Sequence, residues 1–218
     1  MSSGHYIVIE GNDGTGKSTQ VALLAEWLRE QGREVVVVEE PGSDDLDKST
    51  PVANELRRVI KNGELVRAPE INLALFSAAR RELWHQKIQP SLERGAVVLS
   101  ARNYLSTLVY QGRGEGLDEA EIMRMTEVFT SQRYLQPDVM VILTLSHAKR
   151  AERIAMRGEL AHPDTFESRG QAFQDTVNAG YEAVAHVYGV PLLSADGDIQ
   201  TLQAAVCEVV AAALSFDK

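Results

Sequence analysis

Gly11-Asn-Asp-Gly-Thr-Gly-Lys-Ser18 fits the pattern G-x-x-x-x-G-K-[ST] in full. The run just before it, Tyr6-Ile-Val-Ile-Glu10, is rich in β-formers. Lys17 to Gln31 then places Val21, Leu24, Trp27 and Leu28 on one helical stripe, and Gly32 stops it. A strand that ends at Glu10 and a helix that begins near Lys17 are the setting a phosphate-binding loop requires. Glycines let the backbone wrap closely round phosphate oxygens. Free N–H groups and the start of the helix supply partial positive charge. Gly11, Asn12, Asp13, Gly14, Thr15, Gly16, Lys17, Ser18 and the adjoining Thr19 are therefore the candidate nucleotide-binding residues. Lys17 serves the β- and γ-phosphates, and Ser18 offers its hydroxyl to Mg²⁺.

Outward from the loop, strand and helix patterns alternate. Glu34 to Glu39, Ala96 to Ser100, Asp138 to Leu145 and Val190 to Ser194 read as further strands. Helical patterns cover 50–61, 70–94 with a bend at Pro90, 106–111, 118–134, 147–157, 166–188 and 199–214. Five strands separated by helices predict an α/β fold, a three-layer α/β/α arrangement on a five-stranded parallel sheet. Length and the lack of linkers or repeats predict one domain over 1–218, with a polar break at 158–165 inside a small flexible lid at about 158–170.

Apolar residues make up 44% of the 218 and charged residues 24%, as in an ordinary globular protein, and the formal net charge is -9. That balance argues against broad nucleic-acid binding, which needs a basic face, yet allows a local positive pocket. The single Cys207 excludes an intramolecular disulfide. No signal-like start and no apolar run of membrane-spanning length occur, so a cytoplasmic place with no membrane partner is expected. The five histidines are scattered without metal-ligand spacing. The loop motif names a nucleoside triphosphate and not a reaction.

Later segments resemble the thymidylate kinase family when read in order. The opening Ile9 to Gln20 is similar to E-G-x-D-G-x-G-K-[ST]-T-Q, and Glu40-Pro-Gly42 resembles R-E-P-G-G-T. Leu75 to Arg80 resembles L-F-x-A-x-R, and Ser106 to Gly112 resembles S-S-x-A-Y-Q-G. Arg157 to Leu160 with Asp164 to Glu167 resembles the lid, and Gly180-Tyr181 the G-Y that follows. The resemblance implies ATP and dTMP as substrates, Mg²⁺ as cofactor, transfer to dTDP and a homodimer. It implies catalytic roles for Asp13, Lys17, Arg102 and Arg157. Arg153 and the backbone near Ala195 would border adenine. Glu40, Phe76, Arg80, Arg102, Ser106, Tyr110 and Gln111 would form the acceptor site. Phe76 and Arg80, four apart, share a helix face; a phenyl ring stacks on a pyrimidine, and arginine donates to a base carbonyl.

Four positions depart from the family pattern: Glu39 for its arginine, Ser43-Asp44 for G-T, Ala101 for the aspartate beside Arg102, and Thr165 for the lid arginine. Alanine cannot support a metal ion, which leaves Glu40, Asp13, Asp44 and Asn103 as candidate oxygens, and Arg169 as the replacement lid cation. A kinase for another nucleoside monophosphate and a nucleotide-binding protein without turnover stay open on the sequence.

Overall fold

The computed structural model describes residues 4–157 and 164–214. Strands β1 (His5–Gly11), β2 (Val35–Glu39), β3 (Val97–Ala101), β4 (Val139–Thr144) and β5 (Leu192–Ser194) form one sheet in the order β2-β3-β1-β4-β5, all neighbours parallel. The predicted five-stranded α/β sheet is thus observed. Its strands alternate strictly between two cores. Tyr6, Val8, Val38, Val98 and Ile142 face one layer. Ile7, Ile9, Val97, Leu99, Val141 and Leu143 face the other. Both faces are covered, so most strand residues near the centre are apolar; buried Glu10 and Ser100, towards the C-terminal ends of β1 and β3, are polar exceptions.

Helix α1 (Lys17–Glu30) and helix α10 (Ile199–Leu214) cover the second face through Val21, Leu24, Leu28, Leu202, Val206 and Val210. The first face is covered mainly by α2 (Pro51–Lys61), α3 (Pro69–Leu83), α4 (Gln89–Glu93), α5 (Tyr104–Thr107), α6 (Glu119–Phe129), α7 (Gln132–Leu135) and α9 (Gln171–Tyr188). Helix α8 (His147–Arg157) lies over the phosphate loop. Among the described residues no helix is long and apolar enough to cross a membrane.

Three predicted helices are broken for local reasons. The 70–94 helix widens into a π-helical turn at Trp84–Ile88 before α4. Pro90 lacks the N–H that an α-turn would direct at the Gln86 carbonyl, and the wider turn makes room for its ring. The 118–134 helix stops at Thr130, and Ser131 recaps α7 by accepting from the Tyr134 N–H. The helix expected from Phe166 begins only at Gln171. The Asp164 carboxylate instead accepts the Phe166 and Glu167 N–H groups and folds 164–169 into a turn. Part of the expected lid, 158–163, lies outside the described residues.

Candidate active site

All strands point their C-terminal ends one way, and the site sits on that edge, where α/β sheets bind ligands. Two cavities meet there.

The phosphate-loop cavity, about 220 Å³, is lined by Asp13, Gly14, Gly16, Lys17, Ser18, Thr19, Glu39, Glu40, Ala101 and Arg102. Gly11 leaves β1 at φ 140°, where a Cβ would stand 2.4 Å from the Leu143 carbonyl oxygen. Gly16, at φ 89°, turns the chain into α1. Only glycine suits both positions. The Asn12 carbonyl accepts from the Thr15 hydroxyl and from Lys17 Nζ, each at 2.8 Å. The Asn12 side chain faces away, to Asn178 and Tyr110. Lys17 is buried. Burial, and then the nearby Arg102, lower its pKa to about 7, against the opposing pull of Asp13, Glu10 and Glu39.

Two arginines of α8 lock the loop from above. Arg153 donates to the Gly14 carbonyl at 3.0 Å and to the Ala195 carbonyl at 2.7 Å, so it joins the loop to the end of β5. Arg150 donates to the Asp13 carbonyl and to Gln174. Arg157 ends α8, but its side chain lies outside the described residues.

The acceptor cavity, about 190 Å³, is lined by Phe76, Arg102, Ser106, Thr107, Tyr110, Gln111 and Phe166, with Asp13, Glu39, Glu40, Arg57 and Lys61 among the charged groups. Among the described residues, Arg102 is the one cation that lines both cavities. It follows β3 in a left-handed conformation, φ 75°, which costs about 1 kcal/mol for a residue with a Cβ. Buried Glu10 holds the turn by accepting from the Asn103 N–H (2.7 Å) and from the Ser106 N–H and hydroxyl. Ser100 Oγ donates to the Arg102 carbonyl. The guanidinium then pairs with Asp13, bonds Ser106 and Tyr181 at 3.0 Å, and lies over the Tyr110 ring. Burial opposes ionisation of Asp13, but Arg102 and Lys17 together hold its carboxyl well below the usual range.

Phe76 forms a wall of this cavity. Phe166 packs against it at 5.8 Å and against Tyr110 at 5.7 Å, as a roof. Arg80 lies buried beneath. Its Nε pairs with Glu40 at 3.0 Å, and its Nη2 donates to the Thr107 hydroxyl and the Asn103 carbonyl. The other Glu40 oxygen accepts from the Tyr134 hydroxyl at 2.6 Å. At this site two atoms are buried with no hydrogen-bond partner among the described residues: Oε1 of Gln111, which lines the cavity, and Nη1 of Arg80, whose side chain lies behind the lining residues Glu40 and Thr107 that it bonds.

These contacts correct the expected metal-side groups. Glu40 is occupied by Arg80 and Tyr134, so it supports the acceptor floor. Asp44 is exposed and pairs with Arg57. Asn103 caps α5 through the Leu105 N–H. Arg169 is drawn to Glu115 and stacks on Phe173 at 4.2 Å, so it does not replace the lid arginine at the loop. Thr165 is held by the Lys61 carbonyl and by Arg67. Glu39, read only as a lost arginine, instead stands in register with Ala101 on the adjacent strand. It lines the same cavity as Ser18. A carboxylate and a hydroxyl across that cavity fit a hard divalent cation. Sequence reasoning also missed Glu10, Arg150, Tyr134, Glu115 and the roofing role of Phe166. Arg150 is three residues before Arg153, a helical spacing that could have marked it.

A glycine-walled loop at a helix N-terminus, facing a second pocket across a shared arginine, defines a P-loop phosphotransferase. The comparisons agree and go further. A family model described as thymidylate kinase matches residues 9–206. A thymidylate kinase of Exiguobacterium sp. is 36% identical over 90% of this chain and 88% of its own length. That of Pseudomonas fluorescens is 41% identical over 82% and 80%. A crystal structure of thymidylate kinase from Ehrlichia chaffeensis superposes with TM-score 0.74 at 25% identity, covering 95% of this chain and 98% of that one. The chain belongs to the thymidylate kinase family.

Proposed function

We propose that this chain transfers the γ-phosphoryl group of ATP to dTMP, giving ADP and dTDP. The observation that carries the reading is a pair of unpartnered atoms at the acceptor cavity, one on the lining residue Gln111 and one on Arg80, directly behind the lining residues Glu40 and Thr107. Arg80 Nη1 is a donor without an acceptor, and Gln111 Oε1 an acceptor without a donor. A buried polar atom left unpaired costs roughly 1–3 kcal/mol. Thymine offers the complement: a carbonyl oxygen at C4 for the arginine and a ring N3–H for the amide. Cytosine offers an amino group and a bare nitrogen at the same places. Phe76 supplies the flat face for stacking.

Catalysis is in-line transfer, in which positioning and charge neutralisation dominate. Lys17 and the loop amides grip the triphosphate. Arg102, shared by both cavities, orients the acceptor phosphate and carries charge as it moves. Asp13, held ionised by Arg102, fixes that guanidinium and borders both phosphates. Arg153 and the Ala195 backbone border the adenine, and Arg157 is proposed to reach the transferring group. Ser18 and Glu39, which line one cavity, would hold Mg²⁺. Mg²⁺, when bound, neutralises the β- and γ-oxygens. Helices α3 and α6 each leave a large apolar side chain exposed, Ile71 and Val128, which accords with a homodimer measurable by light scattering.

The test is ADP formation with ATP, Mg²⁺ and a panel of dTMP, dUMP, dCMP and dGMP. The expected order is dTMP first, dUMP next and little turnover of the others. No turnover of dTMP, or preference for dCMP, would overturn the assignment.

A further inference from the structure

We propose that Glu115 is a specificity-determining positioning residue. It holds the Gln111 amide in one of its two orientations, so that the pocket reads a protonated ring nitrogen and rejects a bare one. The proposal rests on the acceptor-site reading above and extends it to a residue outside the base-contacting set.

The two ends of a glutamine amide are nearly equal in size, so packing hardly distinguishes them and hydrogen bonding decides which faces where. Here the partner on one side is a carboxylate. Gln111 Nε2 donates to Glu115 Oε2 at 3.1 Å. An ionised carboxylate only accepts, so the reversed amide would set its carbonyl oxygen against a negative oxygen. Glu115 cannot swing away to relieve that. Its side chain is 4% exposed, and its Oε1 receives Arg169 Nη1 at 3.2 Å and Asn72 Nδ2 at 3.1 Å. Every neighbour named is a donor, so the carboxylate is satisfied as it stands. Gln111 lines the acceptor cavity, and Oε1, the other end of its amide, is buried and unpartnered among the described residues. Were the amide reversed, an NH₂ group would face the base and pair with the bare N3 of cytosine. Arg80 thus discriminates at the exocyclic position, and Glu115, through Gln111, at the ring nitrogen. The same carboxylate ties down Arg169, whose guanidinium stacks on Phe173 and flanks the roofing Phe166. Base choice and the roof share one anchor.

A purely structural strut would behave differently, because its loss would lower turnover of all acceptors together. The experiment measures kcat/KM for dTMP and dCMP in the wild type, Glu115→Gln, Gln111→Ala and the double variant. An amide at 115 can donate as well as accept, so Glu115→Gln should release Gln111 and narrow the dTMP-to-dCMP ratio by about tenfold, the scale of one mispaired buried group. In the Gln111→Ala background the same substitution should leave the ratio within about twofold, because the group it acts through is gone. An equal fall for both nucleotides, or the same change of ratio in both backgrounds, overturns the proposal. If thermal melts show Glu115→Gln unfolded, Glu115→Met fills the volume without a hydrogen bond and carries the same expectation. A wild type that makes no dTDP refutes the functional reading itself. A wild type that does, with the ratio unmoved by Glu115→Gln, refutes only the role of Glu115.

Discussion

Binding of ATP should draw a proton onto Lys17. In the free protein its ammonium is buried, and burial with the neighbouring Arg102 brings the pKa to about 7. A triphosphate placed against Nζ adds several negative charges and restores the charged form across the neutral range. At pH 8 the free site is then about one-tenth protonated and the bound site almost fully, so binding takes up about 0.9 proton; at pH 7 the figure is about 0.5. The affinity follows by linkage: between pH 7 and pH 9 binding weakens by about 50-fold, with the loss beginning as pH rises through the free-site pKa. The sign for folding is related. A lysine whose pKa is lowered on folding makes the folded state less stable where both states are protonated. That penalty fades as pH rises from about 7 towards the unfolded value near 10.5. The assay is titration calorimetry of MgATP in buffers of different ionisation enthalpy, repeated at pH 7 and pH 8. Lys17→Arg is the control, since a guanidinium stays charged throughout and should bind with no proton uptake. Uptake near zero at both pH values in the wild type, or equal uptake in the arginine variant, would refute the reasoning.

Other outcomes follow from single contacts. Glu39→Gln should weaken Mn²⁺ binding to the complex with a non-hydrolysable ATP analogue by about tenfold, read by electron paramagnetic resonance; unchanged binding removes Glu39 from the metal side. Tyr134→Phe deletes the hydroxyl that bonds Glu40. It should cost about 1–3 kcal/mol in chemical denaturation and raise the KM for dTMP through Arg80; a change in kcat alone would contradict that route. Gly11→Ala places a Cβ against the Leu143 carbonyl at a positive φ. It should abolish nucleotide binding measured by calorimetry while far-ultraviolet dichroism keeps its helical signal.

The sheet and the phosphate loop were legible in the chain because each is written in adjacent residues. Burial on both faces makes an apolar run such as Val35 to Val38, and the loop needs its glycines, lysine and serine at fixed spacing. Helix ends were less legible. Ser131 and Asp164 act through side-chain caps that compete with helix continuation, and a periodic pattern does not reveal which wins. The acceptor pocket was legible only as a set of names borrowed from resemblance. Sequence alone determined the strand, glycine turn and lysine-bearing helix of a phosphate-loop motif, since backbone geometry over eight residues suffices for that. The tertiary structure decided that Glu39 stands beside Ala101, that Glu40 is committed to Arg80 and Tyr134, and that Glu115 faces Gln111 with Asn72 and Arg169 behind it. Charges and hydrogen bonds choose partners by distance in space, and chain folding brings 39 next to 101 and 115 next to 169 in a way no local spacing encodes.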